Sequence, residues 1–210
     1  MTNHSLTEYD FNPVGSHQEV EYRGLKIEVH YDESPESPRE WSNTGTMFLM
    51  ERGNVGVDEG DDFGAYQDED DFLAYLRKEK DARIVLPVYC YDHSGRVYST
   101  GPFSCPWDSG QAGIIYATGA SIREALGVKR ITAKGIERAT EYLTSEVDTY
   151  SQWAQGDIYG YVVESPEGET LDSCWGFYGM ADVVMEAKAV ADSCADDIAR
   201  NGTFVLDGVA

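Results

Sequence analysis

Basic residues are scarce in this chain: 16 Lys and Arg stand against 38 Asp and Glu, a formal net charge of −22. Holding a nucleic-acid backbone by its phosphates needs the opposite sign. Direct binding to nucleic acid or to an anionic membrane is thereby excluded, except through a local basic patch. A basic protein partner is not. The chain also lacks any apolar run near the roughly 18 residues that a membrane span requires. Its first residues, MTNHSLTEYDFNPVGS, contain no apolar leader-type stretch. Cysteine is limited to Cys90, Cys105, Cys174 and Cys194, with no CxxC pair. Reduced thiols in the cytoplasm of a host cell are the expectation. The glycine-rich phosphate loops GxxxxGK[ST] and GxGxxG are missing, as are HExxH and GxSxG. No cofactor is implied.

Aromatic residues, by contrast, are plentiful, with 14 Tyr and 4 Trp. A chain of 210 residues buries roughly 70% of the surface its unfolded form exposes, so it needs neither disulfide nor metal to fold. Residues 1–18 read as a flexible arm and 19–210 as a single α+β domain. Residues 19–32 alternate around Arg23-Gly24, as a hairpin or a bulged strand. Pro35 and Pro38 exclude helix, and Thr46–Glu51 reads as a short strand. Residues 53–71 hold eight acids and no Lys or Arg and read as a flexible acidic loop, running into a helix over 68–80.

Residues 84–116 gather two of the four cysteines and the only His beyond residue 30. They predict a strand over 83–91, a turn at His93-Ser94-Gly95, a return over 96–100, a Pro-Trp-Asp-Ser-Gly loop and a strand over 112–118. Ser121 and Glu124 suit a capping box on a short helix ending at Leu126. Ile136, Ala139, Leu143, Val147 and Tyr150 form the apolar stripe of a long helix over 132–155. A hairpin over 157–176 follows, then a helix over 180–200, a cap at Gly202 and a strand at 203–206. The expected architecture is a mixed or mostly antiparallel sheet with two to three long helices on one face.

Three kinds of site are consistent with these residues. In the first, Cys105 is a nucleophile, His93 its base, and Asp92 or Asp108 orients the imidazole. Pro106 counts against it, because its missing N–H cannot serve an oxyanion hole. In the second, Cys90 and His93, at CxxH spacing, share a zinc ion with Cys105 and Cys174. A strand position for Cys90 favours a buried thiol instead, so no metal is expected. Asp61-Asp62 and Asp70-Asp71 lack EF-hand spacing and read as solvated surface. In the third, Arg39, Glu40, His93, Trp107, Asp108, Gln111 and Trp175 line a ligand pocket, with a tryptophan stacking on the ligand.

The acids themselves form a pattern. Asp58, Glu59, Asp61, Asp62, Asp68, Glu69, Asp70 and Asp71 crowd one segment, and Asp182/Glu186 and Asp192/Asp196 are like-charge pairs four residues apart on the last helix. Such pairs destabilise an isolated helix by about 0.2–0.5 kcal/mol each. Keeping them suggests a negative surface that meets a basic groove. The basic residues Arg123, Lys129, Arg130, Lys134 and Arg138 cluster elsewhere, which makes the chain bipolar.

PREWSNTGTM (38–47), LPVYCYDHSG (86–95), FSCPWDSGQAGIIY (103–116) and SCWGFYG (173–179) together resemble a family of small proteins from phages and mobile elements. The resemblance spans most of residues 20–179. In that family the first block is often followed by a basic or His-containing segment, where this chain has the acidic GNVGVDEGDD. The resemblance implies a phage or mobile-element setting, in which small acidic proteins often block host defence by mimicking nucleic acid. The leading expectation is an accessory protein that binds a basic groove of a host nucleic-acid-binding defence factor. The alternative is an enzyme or small-ligand binder centred on His93, Cys105 and Asp108.

Overall fold

The computed structural model describes residues 18–50, 58 and 68–201. The arm expected over 1–18 (Gln18 apart), most of the acidic loop, the cap at Gly202 and the strand at 203–206 lie outside these residues. Where the sequence reads as one domain over 19–210, the chain divides into two compact units. One is discontinuous, built from residues up to Glu36 and from Gly156 onward; the other is continuous, Ser37–Gln155. The chain passes between them at 36/37 and 155/156 with no shift in composition, so nothing in the sequence marks the boundary.

In the discontinuous unit, β1 (Gln18–Tyr22) and β2 (Leu25–Tyr31) form a hairpin rather than a bulged strand. Arg23 and Gly24 both carry positive φ, 52° and 81°, the two-residue turn whose twist matches antiparallel strands. β7 (Ile158–Glu164) and β8 (Thr170–Tyr178) complete a four-stranded sheet in the order β1-β2-β7-β8. The long helix α4 (Met180–Asn201) covers one face. Its Val183, Ala187, Ala191 and Cys194 pack on Leu25, Ile27, Val29, Tyr161 and Val163.

The continuous unit has its own four-stranded antiparallel sheet, in the order β3-β6-β4-β5. Its strands are β3 (Thr46–Leu49), β4 (Ala82–Asp92), β5 (Arg96–Ser99) and β6 (Ser109–Thr118). The expected helices on one face become helices on both. α2 (Gly119–Leu126) and α3 (Ala133–Gln155) pack Ile122, Ala139, Leu143, Val147 and Tyr150 on Met47, Val88 and Ile115. α1 (Glu69–Glu79) packs Phe72 and Leu76 on the opposite side, against Ile114 and Tyr116. The alternation of Ile114 and Ile115 across the pleat accounts for this, since neighbours on a strand face opposite ways. Each buried Val, Leu, Ile, Phe or Met side chain among these contributes about 1.5–3 kcal/mol.

Two local expectations shift. α2 is capped by Thr118 rather than Ser121; Ser121 sits at the third helical position and completes the reciprocal pair of hydrogen bonds. β6 starts at Ser109, earlier than propensity indicates, because Ser109, Gly110 and Gln111 pair with Tyr91, Cys90 and Tyr89 of β4. The loop before β6 is therefore shorter and ends at Asp108.

Gly160 lies between its partners His30 and Trp175 in the first sheet. A Cβ at Gly160 would run into the Trp175 indole, so the missing side chain is the seat of that ring. His30 and Trp175 rings lie 5.9 Å apart on the same row. Gly160→Ala should lower unfolding stability by about 1–3 kcal/mol in a urea titration. In a Trp175→Ala background the same change should cost under about 0.5 kcal/mol; an equal cost in both backgrounds would refute the steric account.

Candidate functional site

The sequence motif around Arg39 turns out to be an internal charge network. Pro38–Glu40 is a single 3-10 turn capped by the Ser37 hydroxyl, with Pro38 buried. The turn aims Arg39 inward, where its side chain is 3% exposed. The guanidinium donates to both carboxylate oxygens of Asp58, at 3.0 and 2.5 Å. It donates also to Glu146 of α3 at 3.2 Å and to the Gly45 carbonyl at 2.7 Å. The acids are themselves satisfied: Asp58 Oδ2 accepts the Met47 N–H at 2.7 Å and Glu146 Oε1 accepts the Thr44 N–H at 2.7 Å. Burial opposes the charge on Arg39, but the hydrogen bonds and charge of Asp58, then Glu146, outweigh it and hold the guanidinium above its ordinary value. Arg39 therefore leaves the predicted pocket, and Asp58 leaves the predicted partner surface. Glu40 is exposed and lines no part of the pocket described next.

The 92–111 loops do enclose a concavity, of about 420 Å³, lined by Met50, Asp92, Trp107, Asp108 and Gln111 among others. The loop is pinned from below: the Asp92 N–H donates to the Asp108 carbonyl at 2.8 Å and the Ser109 hydroxyl to the Cys105 carbonyl at 2.5 Å. Asp108 Oδ2 accepts the Cys105 thiol at 3.6 Å and lies 3.6 Å from His93 Nδ1. Asp92 is ion-paired with Arg96 at 3.2 Å, and Gln111 donates to Glu69 of α1 at 2.8 Å. Trp107 stands at the rim and is 91% exposed.

This order of groups does not activate the cysteine. A catalytic thiol is set beside a cation or a histidine that receives its proton. Cys105 gives its S–H to a carboxylate, and the carboxylate stands between thiol and imidazole. The zinc reading meets the fold instead. Cys90 is buried in the core beneath α3, and Cys174 belongs to the discontinuous unit. Among the described residues no group of three or more His, Cys, Asp or Glu is arranged to hold a metal ion. Trp175 likewise belongs to the discontinuous unit, where it is half exposed above Gly160.

The remaining acids expected to face a partner divide into four groups. Glu59, Asp61 and Asp62 lie outside the described residues. Asp192 and Asp196 are neutralised from within: Arg23, at the β1–β2 turn, bridges them at 3.1 and 2.6 Å. Asp192 also takes Lys188 Nζ and the Tyr22 hydroxyl, each at 2.9 Å. Asp68 caps α1 by accepting the Asp71 N–H, and Glu69 holds Gln111. Asp70, Asp71, Asp182 and Glu186 remain exposed. Sequence reading missed Arg23 and Lys188, although Lys188 four residues before Asp192 is a legible helix pair.

Two tests follow. Arg39→Met leaves two carboxylates without their cation and should destabilise the protein by about 3–5 kcal/mol in denaturant unfolding. Arg39→Lys should recover less than half of that, because an ammonium cannot span both oxygens of Asp58; full recovery would contradict the bidentate role. The second concerns acid. Lys26 holds Glu28, and Lys188 holds Asp192, below the ordinary carboxylate range against opposing burial. Their stabilisation is thus complete above the unfolded pKa and is lost as pH falls through the lowered folded values. Melting temperature should hold above about pH 5 and fall below about pH 4, less steeply for Asp192→Asn; an identical slope in that variant would count against the Asp192 contribution.

No protein-family model, curated protein or solved structure matches the chain.

Proposed function

We propose that this chain is a non-enzymatic accessory protein that binds a basic groove of a host nucleic-acid-binding defence factor and competes there with nucleic acid. One observation carries the reading: Trp107, 91% exposed, stands on a concavity whose polar walls include Asp92 and Asp108. An indole held in water is costly unless a partner covers it, and Trp is enriched where a few residues supply most of an interface's energy. A Lys or Arg seated on its face gains a cation–π contact, and two carboxylates stand beside it. The net charge of −22 steers such a partner and repels nucleic acid itself. Exposed Asp70, Asp71, Asp182 and Glu186 add to the field. The likeness of the FSCPWDSGQ and PREWSNTGTM stretches to phage and mobile-element proteins supports a host defence factor as the partner.

The experiment is capture of partners from a host extract on immobilised protein, with Trp107→Ala and Asp108→Asn beside the parent chain. Trp107 touches little of the core, so the variants should keep the parental melting temperature. Trp107→Ala should weaken a specific partner by about 2 kcal/mol, roughly thirtyfold. Binding should also weaken as salt rises, and added nucleic acid should displace the chain. A partner retained equally by Trp107→Ala, at raised salt and against nucleic acid would sink the proposal.

A further inference from the structure

A second concavity of about 420 Å³ lies in the continuous unit, at the start of α3. Arg83 of β4, Arg123 of α2, and Lys129 and Arg130 of the α2–α3 connection line it, with Ile131 and Ile136. In a chain this acidic, cations find carboxylates: Arg23, Lys26, Arg39, Arg96, Lys188 and Arg200 all do. Arg123, Lys129 and Arg130 are exposed and form no ion pair among the described residues. Arg83 alone of the four is paired, with Asp81 at 2.7 Å. Three cations brought to one hollow, with Asp81 held by Arg83 beside them, form a local positive site that the net charge conceals.

The backbone adds to it. Thr132 caps α3, its hydroxyl accepting the Gly135 N–H at 3.2 Å. The first-turn amides of Ala133 and Lys134 precede any residue with an intrahelical acceptor and point out of the positive end of a 23-residue helix. The floor offers the apolar sides of Ile131 and Ile136. The volume falls in the range of small-molecule sites. A nucleic-acid strand would meet the repulsion of the whole chain, whereas a ligand the size of the hollow escapes most of it within a Debye length of about 10 Å.

We infer that this cavity binds a small phosphorylated ligand, its phosphate held by Arg123, Lys129, Arg130 and the α3 amides, its organic part on Ile131 and Ile136. Charge-assisted hydrogen bonds from Arg suit phosphate oxygens, with Lys as a point charge. This site is separate from the Trp107 concavity, so the two proposals stand or fall apart.

The test is titration calorimetry with pyrophosphate and adenosine triphosphate, and with a short single-stranded oligonucleotide for comparison. The parent chain should bind at least one of the two small probes saturably, and more tightly than the oligonucleotide. Lys129→Ala/Arg130→Ala should weaken that binding about tenfold or more, while Lys78→Ala, an exposed lysine of α1, should leave it unchanged. Melting temperatures report that each variant folds, as exposed side chains predict. Absence of saturation below about 10 mM for both small probes would overturn the inference. So would equal weakening by Lys78→Ala, or an oligonucleotide that binds more tightly than either.

Discussion

A single buried guanidinium governs the entry to the continuous unit. Arg39 is taken out of water, and a charge in that position is tolerated only when it is paired and hydrogen-bonded. Meeting that demand draws in Asp58, Glu146 and the Gly45 carbonyl together. The loop before β3 is thereby tied to α3, and the Met47 N–H is held by Asp58 at the start of β3. β3 is an edge strand with only β6 as neighbour, so the Asp58 carboxylate fixes Met47, its second residue, where no second strand can. From β3 the order passes to β6, then to β4, and so to the loops that carry Trp107.

The charge of the chain reads differently once its pairs are known. On sequence alone the acids of the last helix look like a surface kept for use. In the fold, Arg23 reaches Asp192 and Asp196 from the tip of a hairpin far away in sequence, and the like-charge pair becomes a clamp between β1–β2 and α4. Net charge counts residues; a binding surface depends on which of them are left over. By that measure the telling groups are Arg123, Lys129 and Arg130 around the start of α3.

Local rules made much of the fold legible. The stripe from Ile136 to Tyr150 and the alternation from Leu25 to Tyr31 are periodic over enough residues to define a helix and a strand. Which strand pairs with which is not a local property: nothing between residues 25 and 31 names β7 as a partner, and so one sheet was expected where there are two. Ser109-Gly110-Gln111 reads as a turn until β4 pairs with it and overrides its weak strand propensity. Asp58 is one acid among eight in its segment, and only the location of Arg39 distinguishes it. For the site, the composition of the 92–111 loops was readable, and His93, Cys105 and Asp108 do come together. Their order was not, because whether the carboxylate or the imidazole stands next to the thiol depends on the path of a Pro-containing loop.

The discontinuous unit has a consequence for how the chain comes into being. β2 pairs with β7, Lys26 opposite Glu164, and every residue of the other unit is synthesised between them. A chain that emerges N-terminus first therefore offers β1–β2 as a hairpin whose β2 edge stays open and whose apolar face stays uncovered until β7 and α4 arrive. The intervening unit draws its sheet and helices from one continuous segment and can order itself during that wait. The charged residues Glu19, Glu21, Lys26 and Glu28 on the hairpin then have a second use: they keep an early, unpartnered strand pair from joining another chain edge to edge.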